Sequence, residues 1–105
     1  GGSRRVKKYE LLCIVRSSLD IENVEKILEN IKDSIVGFGG NVTNIDKLGR
    51  RKLAFEIGSY RDGFYAVYSM ELAEDKILDL KRYLKLNENV IRDFITVKPK
   101  EKAAV

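Results

Sequence analysis

The chain has 105 residues, of which 20 are lysine or arginine and 16 are aspartate or glutamate, so its formal net charge is +4. With 44% hydrophobic and 34% charged residues, it has the composition of one small soluble globular domain. The single cysteine, Cys13, excludes an intramolecular disulfide, and the absence of histidine removes Ser-His catalysis and the commonest metal ligand. No apolar run approaches the roughly 20 residues that a bilayer requires. We therefore expect a cytosolic protein without enzymatic activity, metal, cofactor or membrane anchor.

Both ends of the chain are predicted to lie outside the folded domain. Gly1-Gly2-Ser3 is typical of a cloning remnant, and residues 1–6 are interpreted as this remnant and a basic N-terminal arm. The folded domain is predicted over residues 7–98, followed by a flexible basic tail over residues 99–105. The net charge of +4 fits a nucleic-acid partner without requiring one.

The first half of the chain predicts a strand, a helix and a longer strand. Residues 8–16 (KYELLCIVR) are apolar and favour a β-strand. Ser17, Ser18 and Asp20 are candidate N-caps for a helix that ends at the glycines of residues 37–40. Its apolar residues recur at steps of three and four, as an amphipathic helix requires: Val24, Ile27, Leu28, Ile31 and Ile35.

The second half continues with three strands and one helix. Residues 41–57 predict one long strand with a bend or bulge at Gly49. A turn over residues 58–63 (GSYRDG) leads to a third strand over 64–72. A second helix is predicted over 74–86 and a fourth strand over 90–97. The sequence does not decide which alternate residues of the fourth strand face the core.

The order β-α-β-β-α-β, with right-handed crossovers, predicts a ferredoxin-like α+β sandwich. Two helices would cover one face of a four-stranded antiparallel sheet, with the first and third strands central and the other face open. The predicted core combines residues of both helices and the first three strands: Leu11, Cys13, Val15, Ile27, Ile31, Val42, Leu53, Phe55, Met70, Leu72, Leu80 and Leu84.

Three consecutive cations, at residues 50–52 (RRK), open an otherwise apolar stretch. Cations on an edge strand can discourage pairing with other chains, and they can also neutralise nucleic-acid phosphates. The position of the cluster at a bend, the nearby Tyr60 and Arg61, and the basic Lys7 and Lys8 before Tyr9 at the start of the first strand favour phosphate binding.

Tyr65 is a candidate for contact with RNA bases. It is predicted on the central third strand, on the face opposite Phe64 and Met70. An exposed aromatic ring with cations nearby can stack on an unpaired RNA base.

Four segments of the chain together resemble one known family. They are Tyr9-Glu10 in the first strand, residues 48–55 (LGRRKLAF), Gly63-Phe64-Tyr65 at the start of the third strand, and residues 89–92 (NVIR) at the start of the fourth. In order and spacing they resemble bacterial small-subunit ribosomal protein six over residues 7–97, and LGRRKLAF is the most specific segment. The chain departs from the family at Glu56, where members often have proline, and in its short basic end, where some members carry a long acidic tail.

The resemblance implies a structural RNA-binding protein of the cytoplasmic small ribosomal subunit. It implies binding to the central domain of small-subunit ribosomal RNA together with small-subunit protein eighteen, as a heterodimer, with this chain a monomer when free. Carried over position by position, the implied RNA-binding residues are Lys7, Tyr9, Arg50, Arg51, Lys52, Tyr65 and Arg92.

Other functions of the same fold stay open as alternatives. A free-standing RNA-recognition motif would carry a basic residue before the glycine of its third strand, whereas Asp62 precedes Gly63, so its two-aromatic platform is predicted to be missing. A small homodimeric ligand-binding regulatory domain is a second alternative. An acylphosphatase-like enzyme would need a strand-to-helix phosphate loop, and residues 16–19 (RSSL) lack the required glycines.

Overall fold

Four strands and two helices alternate in the predicted order. A computed structural model describes residues 6–16, 18, 20–57 and 60–97, without the side chains of 53–57, 60 and 61. The elements are β1 (Val6–Arg16), α1 (Ile21–Gly37), β2 (Asn41–Ile57), β3 (Tyr60–Ala73), a 3-10 turn (Glu74–Lys76), α2 (Ile77–Leu86) and β4 (Val90–Val97). The predictions for residues 1–5, Ser17 and 98–105, and for the side chains of Leu53, Phe55, Tyr60 and Arg61, lie outside this description.

The strands form one sheet in the order β2-β3-β1-β4, and every neighbouring pair is antiparallel. The central positions of β1 and β3 confirm the predicted ferredoxin-like sandwich. Neither described helix is long and apolar enough to cross a membrane.

Two predicted boundaries are wrong. The backbone of residues 60–63 belongs to β3 and not to a turn, because Arg51 pairs with Gly63 and Lys52 with Asp62 in the ladder with β2. Lys52 and Asp62 carry opposite charges directly across the two strands, which favours the continuation of β3 through these residues. The second helix begins at Ile77, since the preceding Glu74–Lys76 forms the 3-10 turn.

Asp20 is the N-cap of α1 among the three candidates that the sequence offers. It has extended backbone angles, and its Oδ1 accepts a hydrogen bond from the Asn23 backbone N–H at 3.0 Å. At the other end of α1, Gly39 adopts a φ of +88°, a left-handed conformation that favours glycine. The helix therefore begins and ends where local sequence chemistry dictates.

Replacing Asp20 with alanine is expected to lower the free energy of unfolding by about 1 kcal/mol, because the Asn23 N–H loses its side-chain acceptor. Urea denaturation measures the change. Asp33→Ala, at an exposed position on the same helix, is the control and should shift stability by less than about 0.5 kcal/mol. Equal effects of the two changes would contradict a capping role.

One hydrophobic cluster between the helices and the sheet confirms most of the predicted core. Nine of the predicted residues are buried: Leu11, Cys13, Val15, Ile27, Ile31, Met70, Leu72, Leu80 and Leu84. Val42 is partly buried and packs against them. The prediction missed Tyr68, whose ring is fully buried and whose hydroxyl donates to the Leu28 carbonyl at 2.7 Å. A tyrosine fits a core when its hydroxyl finds such a partner.

The residues of β4 that face the core belong neither to the even-numbered positions alone nor to the odd-numbered positions alone. Val90 and Ile95 both pack against the core, although five positions separate them. A register shift between Ile14 and Val15 of the neighbouring β1 strand explains this, because a bulge reverses the side on which later residues fall. Arg92 and Phe94, paired with Ile14 and Leu12, therefore face away from the helices.

Cys13 is fully buried in the core. Burial raises the pKa of its thiol to about 12, the nearby Asp93 carboxylate adds to this effect, and a hydrogen bond with Tyr68 acts against it. The group is therefore a neutral thiol in the folded protein at physiological pH.

Cys13 is expected to resist alkylation by iodoacetamide at pH 8 in the native protein and to react at once in guanidinium chloride, because the thiolate is the reactive form. Since its pKa is raised on folding from 9.0, its contribution to stability is fully present below pH 9 and decreases as pH rises toward 12. Mass spectrometry of the alkylated protein checks the first point. Rapid native labelling would contradict the assigned burial.

Candidate nucleic-acid interface

The helices cover one face of the sheet, and strand register defines the residues on the other, which we call the open face. On β1, Leu11, Cys13 and Val15 point into the core, so Lys8, Glu10, Leu12, Ile14 and Arg16 lie on the open face. Residues paired with these in the neighbouring strands lie on the same face. The open face is thus set by the register.

Three arginines lie at one end of the open face, and we call them the arginine cluster: Arg16, Arg51 and Arg92. Arg16 of β1 and Arg51 of β2 are both paired with Gly63 of β3, so they lie on either side of it. Two strand spacings, roughly 10 Å, separate their backbones. Arg92 of β4 is paired with Ile14, two residues before Arg16.

Gly63 lets the strands of the arginine cluster approach closely. A β-carbon at this position would lie 2.5 Å from Ile14 Cγ2 and 3.1 Å from the Val15 carbonyl oxygen. Both distances are shorter than a relaxed carbon contact. A residue with a side chain would therefore push β1 and β3 apart at the point where they carry the arginines.

Tyr65 lies beside the arginine cluster. It is half-buried, and it is paired with Ile14 of β1 and with Gly49 of β2. Phe64 packs against the core and Met70 belongs to it, which confirms that Tyr65 lies on the face opposite these two residues. Tyr65 therefore lies on the same face of the sheet as the arginine cluster.

The three consecutive cations of β2 divide between the two faces of the sheet. Arg51 lies on the open face, whereas Arg50 and Lys52 are paired with Phe64 and Asp62 on the side of the helices. The Arg50 guanidinium lies 5.3 Å from the centre of the Phe64 ring, within cation–π distance. The cations therefore wrap around the edge of the sheet and do not form a single flat patch.

The predicted bulge at Gly49 is confirmed and positions these cations. Gly49 has a φ of +86°, and the register of β2 with β3 shifts between Lys47 and Gly49. Arg51 Nε donates to the Leu48 carbonyl at 3.5 Å, across the bulge. The glycine thus sets which of the following side chains reach the open face.

Two of the implied RNA-binding residues lie away from the arginine cluster. Lys7 is at the opposite end of β1, and its Nζ lies 2.6 Å from Glu74 Oε1 in an ion pair. Tyr9 is 6% exposed, with its ring in the core. A ring with so little free surface cannot stack on a base, so the RNA contact expected of Tyr9 is not retained.

Arg16 is the member of the arginine cluster that sequence reasoning missed. It is half-buried, and its Nε is buried without a hydrogen-bond partner among the described atoms. The available signal was its parity with Leu12 and Ile14, which places it on the open face of a central strand.

An apolar row crosses the open face next to the arginine cluster. Phe94 of β4, Leu12 of β1 and Val67 of β3 are paired in sequence across three strands. Phe94 is 51% exposed, while Leu12 and Val67 are half-buried. The open face thus offers both a cationic end and an apolar surface.

Comparison with known proteins decides the family. A family model described as ribosomal protein S6 matches residues 8–98. The chain belongs to the ribosomal protein S6 family. This membership makes it a constituent of the small ribosomal subunit and a structural, non-enzymatic protein of translation, located in the cytoplasm, as predicted. Membership also implies ribosomal RNA and ribosomal proteins as the classes of partner.

Individual S6 relatives cover nearly the whole chain. Small ribosomal subunit protein bS6 of Clostridioides difficile is 37% identical over 92 residues, covering 88% of this chain and 99% of that protein. Its counterpart from Dictyoglomus turgidum is 32% identical over 96 residues, covering 91% and 99%. The crystal structure of 30S ribosomal protein S6 from Thermotoga maritima has a TM-score of 0.84 at 22% identity over 90% of this chain and 89% of that one, which supports the fold.

Proposed function

We propose that the protein binds the central domain of small-subunit ribosomal RNA together with small-subunit protein eighteen. The observation that carries this proposal is the position of the arginine cluster at one end of the open face, beside Tyr65. Guanidinium groups on one surface can neutralise phosphates and bind them through paired hydrogen bonds. Such contacts position the protein on RNA without reading its sequence.

The proposed RNA-binding surface includes the cations at the edge of β2. Arg50 and Lys52 extend the surface from the open face around that edge. Lys7 is left out, because it lies at the other end of the sheet in an ion pair with Glu74. Tyr65 is the residue proposed to contact an unpaired base.

The apolar row of Leu12, Val67 and Phe94 is proposed to contact protein eighteen. Apolar surface gains more free energy by packing against a protein than against phosphates, which stay hydrated. The half-exposed ring of Phe94 offers the largest side chain of the row for this purpose. The two partners would then share the open face.

Titration of the protein with a central-domain rRNA fragment, with and without protein eighteen and across a salt series, tests the proposal. Binding should be tight with protein eighteen present and should weaken as salt rises. A Phe94→Ser variant should lose the dependence on protein eighteen and keep the salt dependence. Circular dichroism of each protein before titration separates lost binding from lost folding.

Absence of binding at low salt, with folded protein and protein eighteen present, would overturn the proposal. A stable homodimer without RNA affinity would then favour the regulatory-domain alternative. Binding that is equally tight without protein eighteen would favour a free-standing RNA-binding domain.

A further inference from the structure

A groove of about 590 Å³ runs along the outer edge of β4, between this strand and α2. Three residues of α2 line it, namely Lys81, Leu84 and Lys85, and residues 90–95 of β4 form its other wall. Among the described strands, β4 pairs with β1 alone and ends the sheet. The groove therefore has a free strand edge as one wall.

This strand edge is regular enough to receive another strand. From Arg92 to Val97, the register of β4 with β1 runs without a shift. The opposite edge, β2, has three register shifts along its pairing with β3, and such irregularity discourages pairing with another chain. In an antiparallel ladder, alternate residues direct their backbone N–H and C=O groups outward. The regular part of β4 thus presents an ordered set of donors and acceptors.

The side chains around the groove indicate what it would accept. On the side of the helices, the partly buried Val90 and Ile95 supply apolar lining, and Lys81 and Lys85 supply positive charge. A third cation, Arg92, lies on the same strand but on the open face. Asp93 is the one carboxylate in the lining. Lys81 and Lys85 are four positions apart on α2 and both exposed, so they share one side of the helix. Within the described part of the chain, none of the three cations lies in an ion pair.

We propose that this groove binds an extended segment of a partner protein in which apolar and acidic residues alternate. The segment pairs with the edge of β4 through its backbone. Because its alternate residues point to opposite faces, its carboxylates lie on the side of the helices and face Lys81 and Lys85, while its apolar side chains lie on the open face beside Phe94, which is 51% exposed. A nucleic-acid backbone would satisfy the cations, but it has no alternating N–H and C=O groups for the strand edge. The proposal is separate from RNA binding, with which it shares Arg92.

The test is a titration of the isotope-labelled full chain with a synthetic eight-residue peptide of alternating valine and glutamate, followed by amide NMR shifts. Shifts are expected along residues 81–85 and 90–97. Two control peptides have lysine in place of glutamate or N-methyl groups at alternate residues, and both should bind about tenfold more weakly or not at all.

Charge reversal in the protein completes the test. Lys81→Glu with Lys85→Glu should weaken binding of the valine-glutamate peptide about tenfold, whereas Lys26→Glu with Lys32→Glu on α1 should leave it unchanged. Three outcomes would overturn the proposal: no shifts at millimolar peptide, shifts confined to the open face, or equal binding of the N-methylated peptide. An eight-nucleotide uridine RNA that shifts the groove residues more strongly would overturn it in favour of RNA. The rRNA affinity of Lys81→Glu with Lys85→Glu, measured separately, shows whether the proposed function fails independently.

Discussion

Replacing Arg51 and Arg92 together with alanine is expected to weaken binding of the central-domain rRNA fragment about a hundredfold, because two charge-assisted contacts to phosphate are lost. Both side chains are exposed and lie at the same end of the open face. The slope of the logarithm of affinity against the logarithm of salt should also become shallower by about one to two units. Filter binding at several salt concentrations, with protein eighteen present, measures both effects.

A matched control separates a local contact from the overall charge. Lys26→Ala with Lys32→Ala removes the same charge from α1, which covers the other face of the sheet. This variant should change rRNA affinity less than about threefold, since well-separated exposed charges are largely screened at physiological salt. If both pairs of substitutions weaken binding equally, net charge and not the arginine cluster governs the affinity.

Gly63→Ala is expected to destabilise the protein by about 3 kcal/mol, the upper end of the cost of overpacking a well-packed site. The added β-carbon would lie 2.5 Å from Ile14 Cγ2 and 3.1 Å from the Val15 carbonyl oxygen. The first atom belongs to a side chain that is only 4% exposed, and the second to the backbone of a central strand. Neither can move without disturbing the sheet, and urea denaturation measures the loss.

Two further variants show whether the contact itself causes the loss. Gly37→Ala, at the last residue of α1, has nothing within 4 Å of its added β-carbon and should leave stability unchanged or raise it slightly. Ile14→Ala removes the Cγ2 that Gly63→Ala would approach. The double variant should therefore be more stable than the sum of the single effects predicts, and strict additivity would exclude this contact as the cause.

Local patterns predicted the helices and strands, and their order with right-handed crossovers predicted the fold. Apolar residues at steps of three and four predicted the buried face of α1, and the apolar run over residues 8–16 predicted the strand that carries the buried Leu11, Cys13 and Val15. Glycines gave correct local information where a left-handed conformation is needed, as at Gly49 and Gly39. Both kinds of prediction depend only on residues close together in the sequence, so they can be made from a single sequence.

The candidate site was harder to predict, because it depends on strand register. Arg16 and Arg51 are both paired with Gly63, and Arg16 is far from Gly63 in sequence. No pattern in the local sequence predicts this pairing. Burial of Tyr9 follows from its parity with Leu11, whereas the RNA contact expected of Tyr9 was implied by the family resemblance. Tyr68 shows the same limit for the core, since the acceptor for its hydroxyl is Leu28, forty positions away.

The bulge at Gly49 has a consequence for how this segment can change in evolution. Because successive residues of a strand point to opposite faces, gaining or losing one residue at the bulge would exchange Arg51 with Arg50 or Lys52 on the open face. Exchanging arginine for lysine at any of these positions keeps the arrangement of charge. Sequences related to this one are therefore expected to vary here in the identity of their cations more readily than in the length of the segment.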